Sequence, residues 1–299
     1  MTILDELAAY ARERTEMRKA QVPLAEMRAR AEEICRLQAK ADPLSVDSRS
    51  ADSLSGEVMN RKGESAFASA KATGPKAFAF EEALRRDGMS FICECKKASP
   101  SKGVIAEDFP YLQIARDYEA AGADCISVLT EPRWFLGSDA YLEEIAAAVN
   151  VPCLRKDFTV DEYMIYEAKV LGAGAVLLIC SILEPSQLSE YAAICNSLGL
   201  TALFETHNEG EVYDAVVAGA RVIGVNNRNL ADFSVDTGNS AKLRKLVPPG
   251  VIFVAESGIR TAADVRALEA IGVDAVLVGE TLMRAADKKT TLAELRGKR

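Results

Sequence analysis

Four times along this chain a triplet centred on glycine closes a helix-like stretch and is followed within a few residues by an apolar run: Ala121-Gly122-Ala123, Leu171-Gly172-Ala173, Ala218-Gly219-Ala220 and Ile271-Gly272-Val273. Glycine just past a helix can take the left-handed conformation that reverses the chain. The runs that follow are rich in Val, Ile and Leu, as expected of strands covered by helices on a parallel sheet. Eight such runs are expected, at 91–95, 125–129, 152–155, 175–179, 202–205, 222–225, 251–255 and 275–278. Helix-sized amphipathic segments separate them, at 111–121, 139–150, 161–171, 184–198, 209–218 and 262–271. Eight βα units that close on themselves give an α/β fold of the (β/α)8 or TIM-barrel type. An open doubly wound sheet would carry a Gly-rich dinucleotide turn after the first strand. That position holds Lys96-Lys97-Ala98-Ser99-Pro100-Ser101, so the barrel is the better reading.

A chain of 299 residues accommodates one such barrel, which takes roughly 250, with a remainder at the N-terminus. Residues 1–30 read as an N-terminal helical extension: Ile3, Leu4, Leu7, Ala8 and Ala11 form an apolar stripe, and Leu24 and Met27 resume helical spacing after Pro23. Residues 31–77 read as a polar insertion or linker, with five serines between Ser45 and Ser55. Residues 78–299 form the catalytic barrel, entered through a helix over 78–86.

The composition, 49% hydrophobic and 27% charged, is ordinary for a globular chain. A net charge of −8 offers nucleic acid no general attraction. No apolar run approaches the roughly 18–20 residues of a membrane span, and the first ten residues lack a basic head and apolar core. A cytoplasmic protein is expected, with no membrane partner. The seven cysteines sit mostly inside apolar patterns and are odd in number, so they read as reduced core thiols. Cys93-Glu94-Cys95 has neither CxxC spacing nor a second pair, so no metal is expected there.

In barrels of this kind the active site is built at the C-terminal ends of the strands. Those ends carry, in order, Glu94 and Lys96, Thr130-Glu131, Lys156-Asp157-Phe158, Ser181, Glu205-Thr206-His207, Asn226-Asn227-Arg228-Asn229, Glu256-Ser257-Gly258 and Gly279-Glu280-Thr281. Ionisable groups beside a desolvated mouth are costly unless they pair or act. Side chains alternate along a strand, so Glu94 and Lys96 share a face while Cys93 and Cys95 take the other. An acid and a base side by side suit proton transfer on an anionic substrate; a surface salt bridge is the plainer reading. Ser257-Gly258 and Gly279 present backbone N–H groups with little steric cover, as a phosphate site needs.

Lys156 shares a face with Leu154, which aims it at the mouth as a general acid, a Schiff-base nucleophile or a phosphate ligand. His207 is the only histidine and reads as a packed or hydrogen-bonding residue rather than a catalytic one. Trp134 reads as core or surface. Phe135 and Phe158 fit either the core or an aromatic pocket.

Taken together, the segments 91–105, 129–138, 154–158, 203–207, 223–230, 254–259 and 277–284 resemble the indole-3-glycerol-phosphate synthase family, and residues 3–24 are similar to its N-terminal extension. No single motif is specific; their order at matching strand ends is. Two features depart from the family pattern: the polar stretch over about 30–76, and Cys95 in place of a plainer apolar residue. The resemblance implies conversion of 1-(2-carboxyphenylamino)-1-deoxyribulose 5-phosphate to indole-3-glycerol phosphate, carbon dioxide and water in tryptophan biosynthesis, without cofactor or metal. It implies Lys156 as the general acid for ring closure. Glu205 and Lys96 would assist dehydration, and Glu94 would orient Lys96. Asn226 would position the substrate, Arg228 would contact it, and Ser257 belongs to the same catalytic group. Ser99, Ser257, Gly258, Gly279 and Glu280 would face the phosphate, Glu280 through its backbone N–H. Phe135, Phe158, Leu177 and Leu230 would form the apolar wall against the aromatic ring. The expected partner is a phosphorylated small molecule, and the chain is expected to be a monomer. The stretch 45–72 carries none of these motifs, so its deletion is expected to leave the chemistry intact. A sister phosphate-binding barrel, phosphoribosylanthranilate isomerase, would use a cysteine/aspartate pair instead. A Schiff-base aldolase acting through Lys156 and a barrel kept as a binding scaffold are the remaining competing readings.

Overall fold

The structure is a computed structural model that describes residues 2–41, 75–229 and 233–298. Eight parallel strands close into a barrel: β1 (Ser90–Cys95), β2 (Cys125–Leu129), β3 (Cys153–Lys156), β4 (Ala175–Ile179), β5 (Thr201–Thr206), β6 (Val222–Asn226), β7 (Ile252–Glu256) and β8 (Ala275–Val278). Each pairs with its sequence neighbours, and β1 with β8 completes the ring through Ser90 opposite Ala275. The expected ring of eight is therefore present. β3 and β7 end one residue later than their sequence pattern suggests, which brings Lys156 and Glu256 into the strands themselves.

Alternation along the strands sorts the core into two layers. Ile92, Leu154, Leu177, Leu203, Val254 and Leu277 point into the barrel. Phe91, Cys93 and Cys95 join Ile126, Val176 and Phe253 between strands and helices, so Cys95 is packed on the outer face as expected. All seven thiols are free, and six are buried. Burial pushes the Cys153 and Cys195 thiols up to about 12. The four glycine triplets behave as helix terminators: Gly122, Gly172, Gly219 and Gly272 have φ of 79–89°. At the first, Ala123 N–H closes the turn on the Tyr118 carbonyl at 2.9 Å.

The N-terminal part covers both ends of the barrel. Helix α1 (Ile3–Gln21) starts at a capping box on Thr2 and Asp5. It lays Leu7, Ala8 and Ala11 on the interior cluster together with Phe158 and Val160. Helix α2 (Leu24–Ala41) runs past the boundary expected at residue 30, extended by Arg28–Glu32 and Arg30–Glu26 pairs on its exposed face. Helix α3 (Ala79–Leu84) plugs the opposite end with Phe80, Ala83 and Leu84, shorter than the 78–86 expected, and α4 (Tyr111–Ala120) lies between β1 and β2. The expected linker lies outside the described residues from 42 to 74.

A buried charge network fastens α1 to the barrel. Arg14 donates to both oxygens of Asp157, at 2.7 and 3.3 Å, and Thr130 Oγ1 donates to the same carboxylate at 2.6 Å. Arg155, 1% exposed, bonds Asp139 on α5 (Asp139–Ala148) and Glu167 on α6 (Glu162–Val170), and Arg18 pairs with the same two carboxylates. Three guanidinium groups thus meet three carboxylates. Burial raises the Asp157 carboxyl, but Arg14 and Arg155 beside it outweigh this and hold it below its ordinary range.

Candidate active site

The C-terminal ends of the strands surround a cavity of about 410 Å³, roofed on one side by Leu4 and Leu7 of α1. On its floor, Lys156 Nζ lies 2.7 Å from Glu205 Oε2 and 2.7 Å from Glu256 Oε2. Across the floor, Lys96 Nζ lies 2.8 Å from Glu94 Oε1, and Ser127 Oγ donates to Glu94 Oε2 at 3.4 Å. Burial would pull the Lys156 ammonium down, but Glu205, Glu256 and Glu94 around it raise it well above the usual lysine value. Burial also acts against the Glu205 carboxylate, yet Lys156, His207 and the bond from Asn226 hold it low. Glu256 goes the other way. Burial and the neighbouring Glu205 and Glu94 outweigh Lys156 and push it up to about 7. Buried carboxylates with opposite shifts around one lysine are a common signature of acid–base chemistry.

Two glycines make room for these groups. A Cβ on Gly279 would stand 2.5 Å from Glu94 Oε1 and 3.1 Å from Lys96 Nζ; one on Gly224 would stand 2.4 Å from Glu256 Oε1. Gly279 therefore has a steric task beside any contact with a ligand. Asn226 Nδ2 donates to Glu205 Oε1 at 3.3 Å, and Asn226 Oδ1 accepts from the Arg228 N–H at 3.0 Å. The Arg228 guanidinium is steadied by the Phe233 carbonyl at 3.2 Å.

The rim near β7 and β8 carries Ser257 and Gly258 with φ of 66° and 83°. A non-glycine residue in the left-handed region is uncommon and clusters at functional sites. Ser99, Ser257, Gly258, Gly279 and Glu280 line one side of the cavity, with Arg260 and Arg284 at its edge. Phe135 and Phe158, ring centres 6.1 Å apart, form an apolar wall with Leu177 on the other side. The structure brings together all the site residues expected from sequence except Leu230, which lies outside the described residues.

One strand-end carboxylate has a structural task. Glu131 accepts the backbone N–H groups of Arg133, Trp134 and Phe135 at 2.7–2.9 Å, shaping the loop that carries the aromatic wall. Trp134 packs edge-on against Tyr10 of α1, half-buried. Glu256 is the cavity residue to which sequence reasoning gave no role, although it stands at a strand end and pairs with Lys156. The alternation that aims Lys156 inward through Leu154 aims Glu256 inward through Val254, and this signal could have found it. Among the described residues no group of three or more His, Cys, Asp or Glu side chains is placed to hold a metal ion.

The fold and this mouth define a (β/α)8 barrel with paired lysines and carboxylates at the C-terminal ends of its strands. The chain belongs to the indole-3-glycerol phosphate synthase family, whose model matches residues 46–295. That match takes in residues 46–76, outside the motif segments, and leaves the α1 resemblance outside it. The synthase of Ruminiclostridium cellulolyticum is 56% identical over 245 residues, covering 80% of this chain and 94% of that one. The synthase of Lachnoclostridium phytofermentans is 54% identical over 230 residues, covering 77% and 85%. Among solved structures, a 3-hexulose-6-phosphate synthase superposes with a TM-score of 0.55 at 15% identity, covering 70% of this chain and 99% of that one. This last likeness is one of fold.

Proposed function

We propose that this enzyme closes, decarboxylates and dehydrates 1-(2-carboxyphenylamino)-1-deoxyribulose 5-phosphate to indole-3-glycerol phosphate through the two lysine–carboxylate groups of its mouth. The observation that carries the assignment of roles is Lys156, held as a cation between Glu205 and Glu256 beside the Phe135–Phe158 wall. An aromatic ring laid on that wall brings its carbon toward the ribulose carbonyl, where proximity contributes most. Lys156 protonates the carbonyl oxygen as the carbon–carbon bond forms. Loss of carbon dioxide restores aromaticity. Glu205 then takes a proton while Lys96, oriented by Glu94, gives one to the departing hydroxyl.

Asn226 holds Glu205 in place, and Arg228 is a cation available to an anionic substrate group. Ser99, Ser257, Gly258, Gly279 and the Glu280 N–H receive the phosphate. Glu256 completes the charge around Lys156. A Schiff base at Lys156 would need a neutral amine, and the surrounding carboxylates work against that form. A net charge of −8 argues against a nucleic-acid partner. Among the described residues no helix is long and apolar enough to cross a membrane.

The test is to add the carboxyphenylamino-ribulose phosphate and follow indole fluorescence. Turnover is expected in the native protein. Lys156→Ala should lower kcat by about 100- to 10,000-fold with its circular dichroism unchanged. Activity of that variant near the native level would refute the assignment. Borohydride with substrate should leave no adduct on Lys156.

A further inference from the structure

His207 is the one histidine in the chain, and the chemistry above gives it no part. It follows β5 directly, with Nδ1 3.1 Å from Glu211 Oε2 and Nε2 3.5 Å from Glu205 Oε1. Its surroundings hold the residue from two sides. The His207 N–H donates to Glu211 Oε2 at 2.8 Å, and Asn239 Nδ2 donates to the His207 carbonyl at 3.1 Å. The other Glu211 oxygen accepts from Asn208 at 2.6 Å. Nε2 is buried and lacks a partner of full hydrogen-bond geometry.

Both ring nitrogens therefore face carboxylates. A neutral imidazole has one donor and one acceptor, so either tautomer would turn a lone pair toward a carboxylate oxygen. The imidazolium alone offers a proton to each. The charges of the mouth argue the same way. Glu94 is paired with Lys96, and Glu205 shares its one lysine with Glu256, so a cation at His207 would be the second within reach of the Glu205 carboxylate. Arg228 lines the same polar cleft as His207, and its guanidinium is bonded to the Phe233 carbonyl.

We propose that His207 is a positioning residue that acts through Glu205: as a cation wedged between Glu205 and Glu211, it fixes the Glu205 carboxylate for proton removal. The proposal rests on the role given to Glu205 above. Burial of the ring opposes the cation, but the bond to Glu211 and the charges of Glu205, Glu211 and Glu256 outweigh it and raise His207 above the ordinary histidine value.

Because the chain has a single histidine, its imidazole resonances can be titrated by NMR in the full-length protein without assignment. The expected midpoint lies above about 6.5. It should fall by about one unit in Glu205→Gln, since that variant removes an anion within about 4 Å. In a second arm, the kcat pH profile is measured for His207→Gln and His207→Asn. Loss of a neighbouring cation makes Glu205 harder to ionise, so the acidic limb should move up by about one pH unit in both. A midpoint at the ordinary value that ignores Glu205→Gln would overturn the proposal. So would an acidic limb that stays put in either variant, since a neutral amide that suffices shows the charge to be idle. The NMR arm needs no turnover, so failure of the assigned reaction and failure of this coupling are told apart.

Discussion

Gly224 and Glu256 are fitted to one another across β6 and β7: a methyl group at 224 would stand 2.4 Å from Glu256 Oε1. Glu256 is 2% exposed, so its carboxylate cannot swing aside into solvent. It would have to shift against Lys156, 2.7 Å away. Gly224→Ala is therefore expected to lower kcat by about 100-fold, the scale of an ångström misplacement at a reacting centre. Steady-state kinetics with far-UV circular dichroism as a control measures this. A native kcat would detach Glu256 from the chemistry.

Glu256 also makes a prediction about stability and pH. Its carboxyl is raised to about 7 in the folded protein, against about 4.3 in an unfolded chain. Between those values the native state binds more protons than the unfolded state, so this group's contribution falls as pH rises from about 4.3 to 7. Glu256→Gln removes that titration. The melting temperature of the variant relative to the native protein should climb from pH 5 to pH 8, as read by calorimetry. A constant difference would place the Glu256 titration outside this window.

Arg14 and Asp157 are both buried, and removing one partner of a buried pair leaves an uncompensated charge. Arg14→Ala should destabilise by about 3–5 kcal/mol in urea unfolding. Adding Asp157→Asn should recover part of that loss. Because Asp157 follows Lys156 directly, the single variant should also lower kcat. An Arg14→Ala protein of native stability would mean that α1 is held by its apolar face alone.

Ser257 holds φ of 66° while Asn227 Nδ2 donates to its carbonyl at 3.2 Å. Ser257→Gly keeps this backbone and loses the hydroxyl, so the melting temperature should hold while KM for the phosphorylated substrate rises. Ser257→Val places a branched side chain in the same conformation and should cost about 1–3 kcal/mol, a fall of several degrees. Equal melting temperatures for the two variants would show that the loop relaxes.

The eight strands were legible because their signal is local. Apolar runs after helix-ending glycines need no knowledge of distant partners, and the two-residue period sets Glu94 and Lys96 on one face. What escaped depends on tertiary pairing. Thr130 and Asp157 stand at strand ends like Lys156, but their partners are each other and Arg14, which no local pattern could supply. Glu131 likewise resembles a mouth acid until its carboxylate meets three N–H groups of its own loop. The end of α2 was partly readable: Arg28 and Glu32 sit four residues apart across the boundary expected at 30. The space left by Gly224 was invisible, because the register of two strands decides which side chain faces it.

The Arg14–Asp157 pair joins residues 143 positions apart. During synthesis α1 therefore leaves the ribosome long before its counter-ion exists, and the anchors of Arg18 on α5 and α6 come equally late. Closure of so long a loop costs chain entropy, and these ion pairs can offset it only once the segment that carries Asp139, Asp157 and Glu167 has formed. The roof over the mouth is thus expected to dock late in folding. Its docking reports that β3, with Lys156 in place, has been built.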